Sequence, residues 1–132
     1  MKPGLLPGMK QEITITVEES MRPAFDEVVI HDVMSTVSMI YQMERVGRKM
    51  LVPYLEPHEE GAGYALDVCH TGIAVIGQEV TITAICTEVS DRRLVCDVVA
   101  RTVDNVVGEG TFTQAIFPKE KLTRKIAKFG MR

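Results

Sequence analysis

Residues 31–51 read HDVMSTVSMIYQMERVGRKML. The stretch has no proline and one glycine, Gly47, and Pro53 follows it, so it predicts the one long helix of the chain. Asp32 and Ser35 are the available N-terminal caps. At about 100° per residue, Ser38, Gln42, Arg45 and Lys49 line up as a single narrow polar stripe. Val33, Met34, Val37, Ile40, Tyr41, Met43, Val46 and Met50 cover much of the remaining surface. A helix so apolar is expected to be wrapped by protein on most of its circumference.

Upstream, residues 11–18 alternate, with Ile13, Ile15 and Val17 opposed to Thr14, Thr16 and Glu18, the pattern of a half-buried strand. Met21-Arg22-Pro23 reads as irregular. Downstream, Pro53-Tyr54-Leu55-Glu56-Pro57-His58-Glu59-Glu60-Gly61 carries turn and loop signals. From Gly63 the pattern is strand-like throughout: residues 63–76, 80–89, 94–103 and 106–117. Gly77-Gln78, Ser90-Asp91-Arg92-Arg93 and Asp104-Asn105 separate them, which predicts four consecutive antiparallel strands in a meander of hairpins. Val80, Ile82, Ala84 and Cys86 should face the core with Leu94, Cys96, Val98 and Ala100. The expected architecture is therefore α+β: one domain over residues 1–132, with an antiparallel five-strand sheet wrapped around one long central helix. Residues 1–10 form a leader and residues 119–132 a basic, weakly amphipathic tail that reads as a solvated terminal helix.

Composition bounds the function. Fifteen Lys and Arg against eighteen Asp and Glu give a net charge of −3, so no general positive field exists for nucleic acid or an anionic membrane. No apolar run reaches the roughly 18 residues of a membrane span, and a cytoplasmic protein is expected. The three cysteines, Cys69, Cys86 and Cys96, lack CxxC spacing and read as buried thiols, with no metal site. Eight methionines and no tryptophan point to a pocket with adaptable aliphatic walls.

Three polar residues break the apolar pattern. Glu44 falls about 120° from the centre of the polar stripe, beside Tyr41, Met43 and Gly47, and is expected to point into protein, as a catalytic carboxylate would. The plainer reading pairs it with Arg48 on the next turn. His70 shares the alternation phase of Leu66 and Val68, and the apolar phase then switches to Ile73 and Val75, which suggests a bulge at Gly72. Thr36 lies nearly opposite the stripe, where a bond back to the carbonyl of residue 32 is the plain explanation.

The spacings Thr36 to Glu44 and Thr36 to His70, with Met43-Glu44, Pro53-Tyr54-Leu55-Glu56-Pro57, His70-Thr71 and Gly108-Glu109-Gly110-Thr111, resemble the hotdog-fold acyl-CoA thioesterases of the fluoroacetyl-CoA thioesterase type. The resemblance implies a homodimer, or a dimer of dimers, that hydrolyses a short-chain acyl-CoA. Thr36, Glu44 and His70 match the family's catalytic triad, and Gly63 its glycine beside the reacting carbonyl. Ile30, Met34, Met39, Met43 and Gln114 are candidates to line the acyl pocket. No cofactor is implied, since coenzyme A is part of the substrate. Glu27 and Ile30 stand where the fluoroacetate specialist has phenylalanines, and Gln114 where it has an arginine. The resemblance therefore carries the general thioesterase assignment and not fluorine selectivity.

Helix geometry adds a constraint. Eight residues from Thr36 to Glu44 give a rise of roughly 12 Å, too far for their side chains to bond to each other. A site using both is expected to be bridged by substrate or water, or to draw one group from a second subunit. Two other readings use the same chain: an acyl-CoA-binding domain without turnover, and an enoyl-CoA hydratase acting through Asp26 and His31. The phosphates of coenzyme A would be met by local cations, first of all those of residues 119–128.

Overall fold

The computed structural model describes residues 1–130, so the last two residues of the basic tail, 131–132, lie outside the described residues. Strand β1 (Lys10–Thr16) leads through a short 3-10 turn into a two-strand hairpin, β2 (Ala24–Phe25) and β3 (Val28–Val29), where sequence alone predicts only irregular chain. Helix α1 spans Thr36–Leu51, and four long strands follow: β4 (Glu59–His70), β5 (Glu79–Val89), β6 (Arg93–Arg101) and β7 (Val106–Pro118). Helix α2 (Lys119–Gly130) ends the chain with every described residue exposed, the solvated helix expected of the tail.

All five long strands form one antiparallel sheet in the order β1-β5-β6-β7-β4. This is the expected five-strand hotdog arrangement with a different connection. Only β5, β6 and β7 form a meander. Strand β4 is not hairpinned to β5; it pairs with β7, Gly63 opposite Gln114 and His70 opposite Gly108, and occupies one edge of the sheet. The linker of residues 71–78 carries the chain from that edge to the other side of the sheet.

The helix begins at Thr36, five residues later than the apolar pattern suggests. The Ser35 hydroxyl accepts the Ser38 N–H at 3.0 Å, a conventional N-cap. Asp32 is instead paired with Arg22 at 3.1 Å. Met39, Met43, Val46, Met50 and Leu51 bury fully or nearly so against Val80, Ile82, Ala84, Cys86, Leu94, Cys96, Val98 and Ala100, the inward sets expected of β5 and β6. Gly47 lets the helix approach the sheet: a Cβ there would lie 2.8 Å from two ring carbons of Phe112.

Three expectations about faces are overturned. Gln42, assigned to the polar stripe, is buried, its amide oxygen accepting from Arg45 at 3.0 Å. The exposed face instead carries Thr36, Val37, Tyr41, Glu44, Arg45 and Arg48. Val37 is 75% exposed and Tyr41 62%, so the chain covers one side of α1 and leaves the other open. In the linker Ala74 is buried while Ile73 and Val75 are exposed, because the Val33 to Val75 bridge sets the phase there. Cys86 and Cys96 are buried as expected, but Cys69 points outward from β4.

Candidate active site

The helix start and the end of β4 are tied together by backbone. Met34 N–H donates to Ala74 O at 2.8 Å, and Val33 bridges Val75, so the segment leaving β4 is held against the segment entering α1. Thr36 is the first helical residue and His70 the last of β4, and this junction brings them together: Thr36 Oγ1 and His70 Nδ1 share a hydrogen bond of 2.7 Å. The threonine hydroxyl is therefore not spent on the helix backbone. Beyond His70, the N–H groups of Thr71 and Gly72 both donate to Val107 O at 2.9 Å, so the ladder ends in the irregularity expected near Gly72. The pair opens on a cavity of about 600 Å³ that also meets Phe25, His31, Met34 and Val37.

Glu44 is two turns further along α1 and faces a different cavity. It is exposed in this chain, contrary to the expectation of a carboxylate enclosed by protein, because the face that carries it is the uncovered one. The carboxylate stands over Gly63: a Cβ on that glycine would lie 3.5 Å from Glu44 Oε2. Gly63 sits beside a β-bulge, where the pairing with β7 slips between Gly63 and Ala65 and leaves Tyr64 as the extra residue. Bulges beside a site re-aim backbone groups and free them from the ladder. The Arg93 guanidinium packs on the outward Tyr64 ring, 4.1 Å from its centroid.

The cavity at Glu44 measures about 740 Å³ and is floored by Gly61, Gly63, Phe112 and Gln114. Arg45, Arg48 and Lys49 line it as well and give an otherwise acidic protein a local positive wall. Arg48 is paired with Glu60 at 3.2 Å. The Gly61 N–H and this guanidinium hold the Glu60 carboxyl below the usual range. No described residue of α2 lines either cavity, whereas Arg45, Arg48 and Lys49 of α1 line the second.

Of the expected site residues, the structure joins Thr36 to His70 and Glu44 to Gly63 and Gln114, and leaves the two groups in separate cavities. Met34 lines the first cavity. Met39 and Met43 are fully buried under the helix and line neither, so they are core residues. Ile30 is half exposed on the segment after β3 and also lines neither. The hydratase pair is not assembled: His31 lines the first cavity, but Asp26 sits at the β2–β3 turn with φ of 50°, outside it. Phe25, Arg45, Lys49 and Phe112 are lining residues that spacing gave no reason to choose.

The profile of the fluoroacetyl-CoA-specific thioesterase family matches residues 17–120. The fluoroacetyl-CoA thioesterase of Streptantibioticus cattleyicolor is 36% identical over 95 residues, which span 72% of this chain and 68% of that protein. Among solved structures, a thioesterase superfamily member from Thermus thermophilus aligns with a TM-score of 0.92 at 28% identity, over 98% of this chain and 96% of that one. The structure of the fluoroacetyl-CoA thioesterase FlK aligns with a TM-score of 0.87 at 30% identity, over 95% of this chain and 97% of that one. With a profile match over most of its length and this level of identity, the chain belongs to the fluoroacetyl-CoA-specific thioesterase family.

Proposed function

We propose that the protein hydrolyses a short-chain acyl-CoA thioester to the free acid and coenzyme A, in a site completed by a second copy of the chain. The observation that carries this reading is the 2.7 Å Thr36–His70 pair, a hydroxyl and an imidazole joined across 34 residues of sequence within a family of thioesterases. Hydrolysis needs a nucleophile, proton management and a place for the oxyanion. With Nδ1 occupied by Thr36, the outer nitrogen of His70 is left to pass a proton to the departing thiolate. Glu44 either takes a proton from water as it attacks the carbonyl carbon or attacks that carbon itself to give an anhydride, which water then opens. In both routes the C–S bond breaks, the sulfur gains a proton, and the acid leaves with one oxygen from water. Backbone N–H groups beside the Gly63 bulge would receive the carbonyl oxygen, since glycine offers no side chain to block approach.

Two features support a dimer. Strand β4 is a twelve-residue sheet edge with no partner strand on its outer side among the described residues, a surface that proteins pair or protect. The open face of α1 exposes Val37 and Tyr41 beside the two half-sites. A twofold axis near that face would carry Glu44 of one copy toward the Thr36–His70 pair of the other and make two equivalent sites. Arg45, Arg48 and Lys49 supply charge for the coenzyme A phosphates. A cytoplasmic setting fits the three unpaired cysteines, and no helix of the described residues is long and apolar enough to cross a membrane.

A panel of acyl-CoA esters from two to twelve carbons, read by release of free thiol, tests the function. Turnover with an optimum among short acids is expected. Tight binding with hydrolysis no faster than in buffer would make the protein a binder instead, and loss of enoyl absorbance from crotonyl-CoA without thiol release would make it a hydratase. A single-turnover quench with labelled acyl group separates the two chemical routes by whether label attaches to protein.

A further inference from the structure

Gln114 is the one described residue whose buried side-chain nitrogen has no hydrogen-bond partner. The residue is 2% exposed and lies on β7 directly opposite Gly63, in the floor of the cavity that holds Glu44. Phe112 lies two residues away on the same face, Leu94 is its neighbour on β6, and the backbone of Gly47 passes above it, while the polar groups of the cavity, Glu44 among them, make no hydrogen bond to the amide nitrogen. A Cβ on Gly47 would come within 3.3 Å of Gln114 Nε2, so the glycine leaves the space in which the amide sits. Gln42, the other buried glutamine, has its amide oxygen paired with Arg45, which sets Gln114 apart.

A buried donor without a partner is destabilising, and an apolar side chain of the same size would fill the position without that cost. We infer that Gln114 selects the acyl group, and that the preferred substrate carries a hydrogen-bonding oxygen, hydroxyl or keto, on the second or third carbon of the acid. The inference rests on the thioesterase reading above and deepens it. Cross-strand partners stand about 5 Å apart, so an acyl group whose carbonyl lies over Gly63 places its second and third carbons above Gln114. The terminal amide torsion is broad, and a half-turn about it presents either N–H or C=O to that oxygen without moving the stem. A hydrocarbon acyl chain would leave the amide unpaired in the complex, and that penalty is the source of discrimination.

The test compares matched esters, butyryl-CoA against 3-hydroxybutyryl-CoA and acetyl-CoA against glycolyl-CoA, on the wild type and on Gln114→Met, a substitution of nearly equal volume. The wild type is expected to favour the oxygenated member of at least one pair by about tenfold in kcat/KM, and the ratio to fall toward one in Gln114→Met. Equal rates for both members of both pairs in the wild type would overturn the inference and leave the amide to an ordered water. So would a preference that survives in Gln114→Met. Should the variant fail to fold, Gln114→Leu, which also lacks a hydrogen-bonding group, reads the same ratio on the same esters. Calorimetric binding of the matching non-hydrolysable thioethers measures the preference without turnover. Thus absence of hydrolysis would overturn the thioesterase reading, whereas absence of a binding preference would overturn the role of Gln114.

Discussion

Co-expression of two differently tagged chains, one Thr36→Ala and the other Glu44→Gln, isolates a mixed dimer in which the shared site can be counted. In each chain Thr36 is bonded to His70 at 2.7 Å, while Glu44 lies about 12 Å along the helix and about 80° around it. If each site takes its Thr36–His70 pair from one copy and its carboxylate from the other, the mixed dimer has one site with all three groups and one site with both lesions. Removal of an acid–base group lowers the rate by about 10²- to 10⁴-fold, so each parent homodimer should run near 1% of wild type or below. The purified mixed dimer should then recover about half the wild-type kcat per dimer with KM unchanged, since one of two sites is intact. The reverse arrangement, a doubly substituted chain paired with a wild-type chain, carries one lesion in every shared site and should stay at parental activity. The reasoning is refuted if the first mixed dimer shows no recovery and the second retains half, because the site would then lie within a single chain.

Further outcomes follow from the packing and the charges. Gly47→Ala adds helix propensity worth about 1 kcal/mol. It also places a carbon 2.8 Å from the Phe112 ring, well inside normal contact, and overpacking of that kind costs about 1–3 kcal/mol. Urea denaturation should therefore show a net loss of stability of up to about 2 kcal/mol, and a gain would refute the close helix–sheet approach. Burial, with smaller contributions from neighbouring Cys86 and Asp97, pushes the Cys96 thiol up to about 12, and burial raises Cys86 as well. At pH 8 no more than one thiol per native chain, that of Cys69, should react quickly with a thiol reagent, and all three after unfolding. The Glu60 carboxyl is held low by the Gly61 N–H and by Arg48, so its contribution is present above the unfolded value of about 4.3 and disappears as pH falls through the folded one. Glu60→Gln should be slightly less stable at pH 7, by under about 1 kcal/mol for so exposed a pair, with the difference narrowing as the pH falls below the unfolded value. A difference that does not shrink at all as the pH falls would show that the carboxylate charge is not its source.

Local sequence determined the elements. Alternation in β5 and β6 identified their buried sets residue by residue, because a strand's side-chain period is fixed by its backbone and needs no knowledge of its neighbours. The proline-free run to Leu51 located α1, although apolar periodicity overran its start until Ser35 supplied the cap. Sequence could not place β4 at the edge beside β7, since pairing between distant strands is set by the whole sheet and not by the shortest connection. Nor could it tell which apolar residues of α1 are covered within the chain. Val37 and Tyr41 look like core on a helical wheel, and that reading assigned Gln42 to solvent and Glu44 to the interior, the reverse of their places. Composition and spacing proposed Thr36, Glu44 and His70 as individual oddities. Only the tertiary structure decided that the junction of Met34 with Ala74 joins the first to the last, while the length of two helical turns sends Glu44 to Gly63 and the unpaired amide of Gln114.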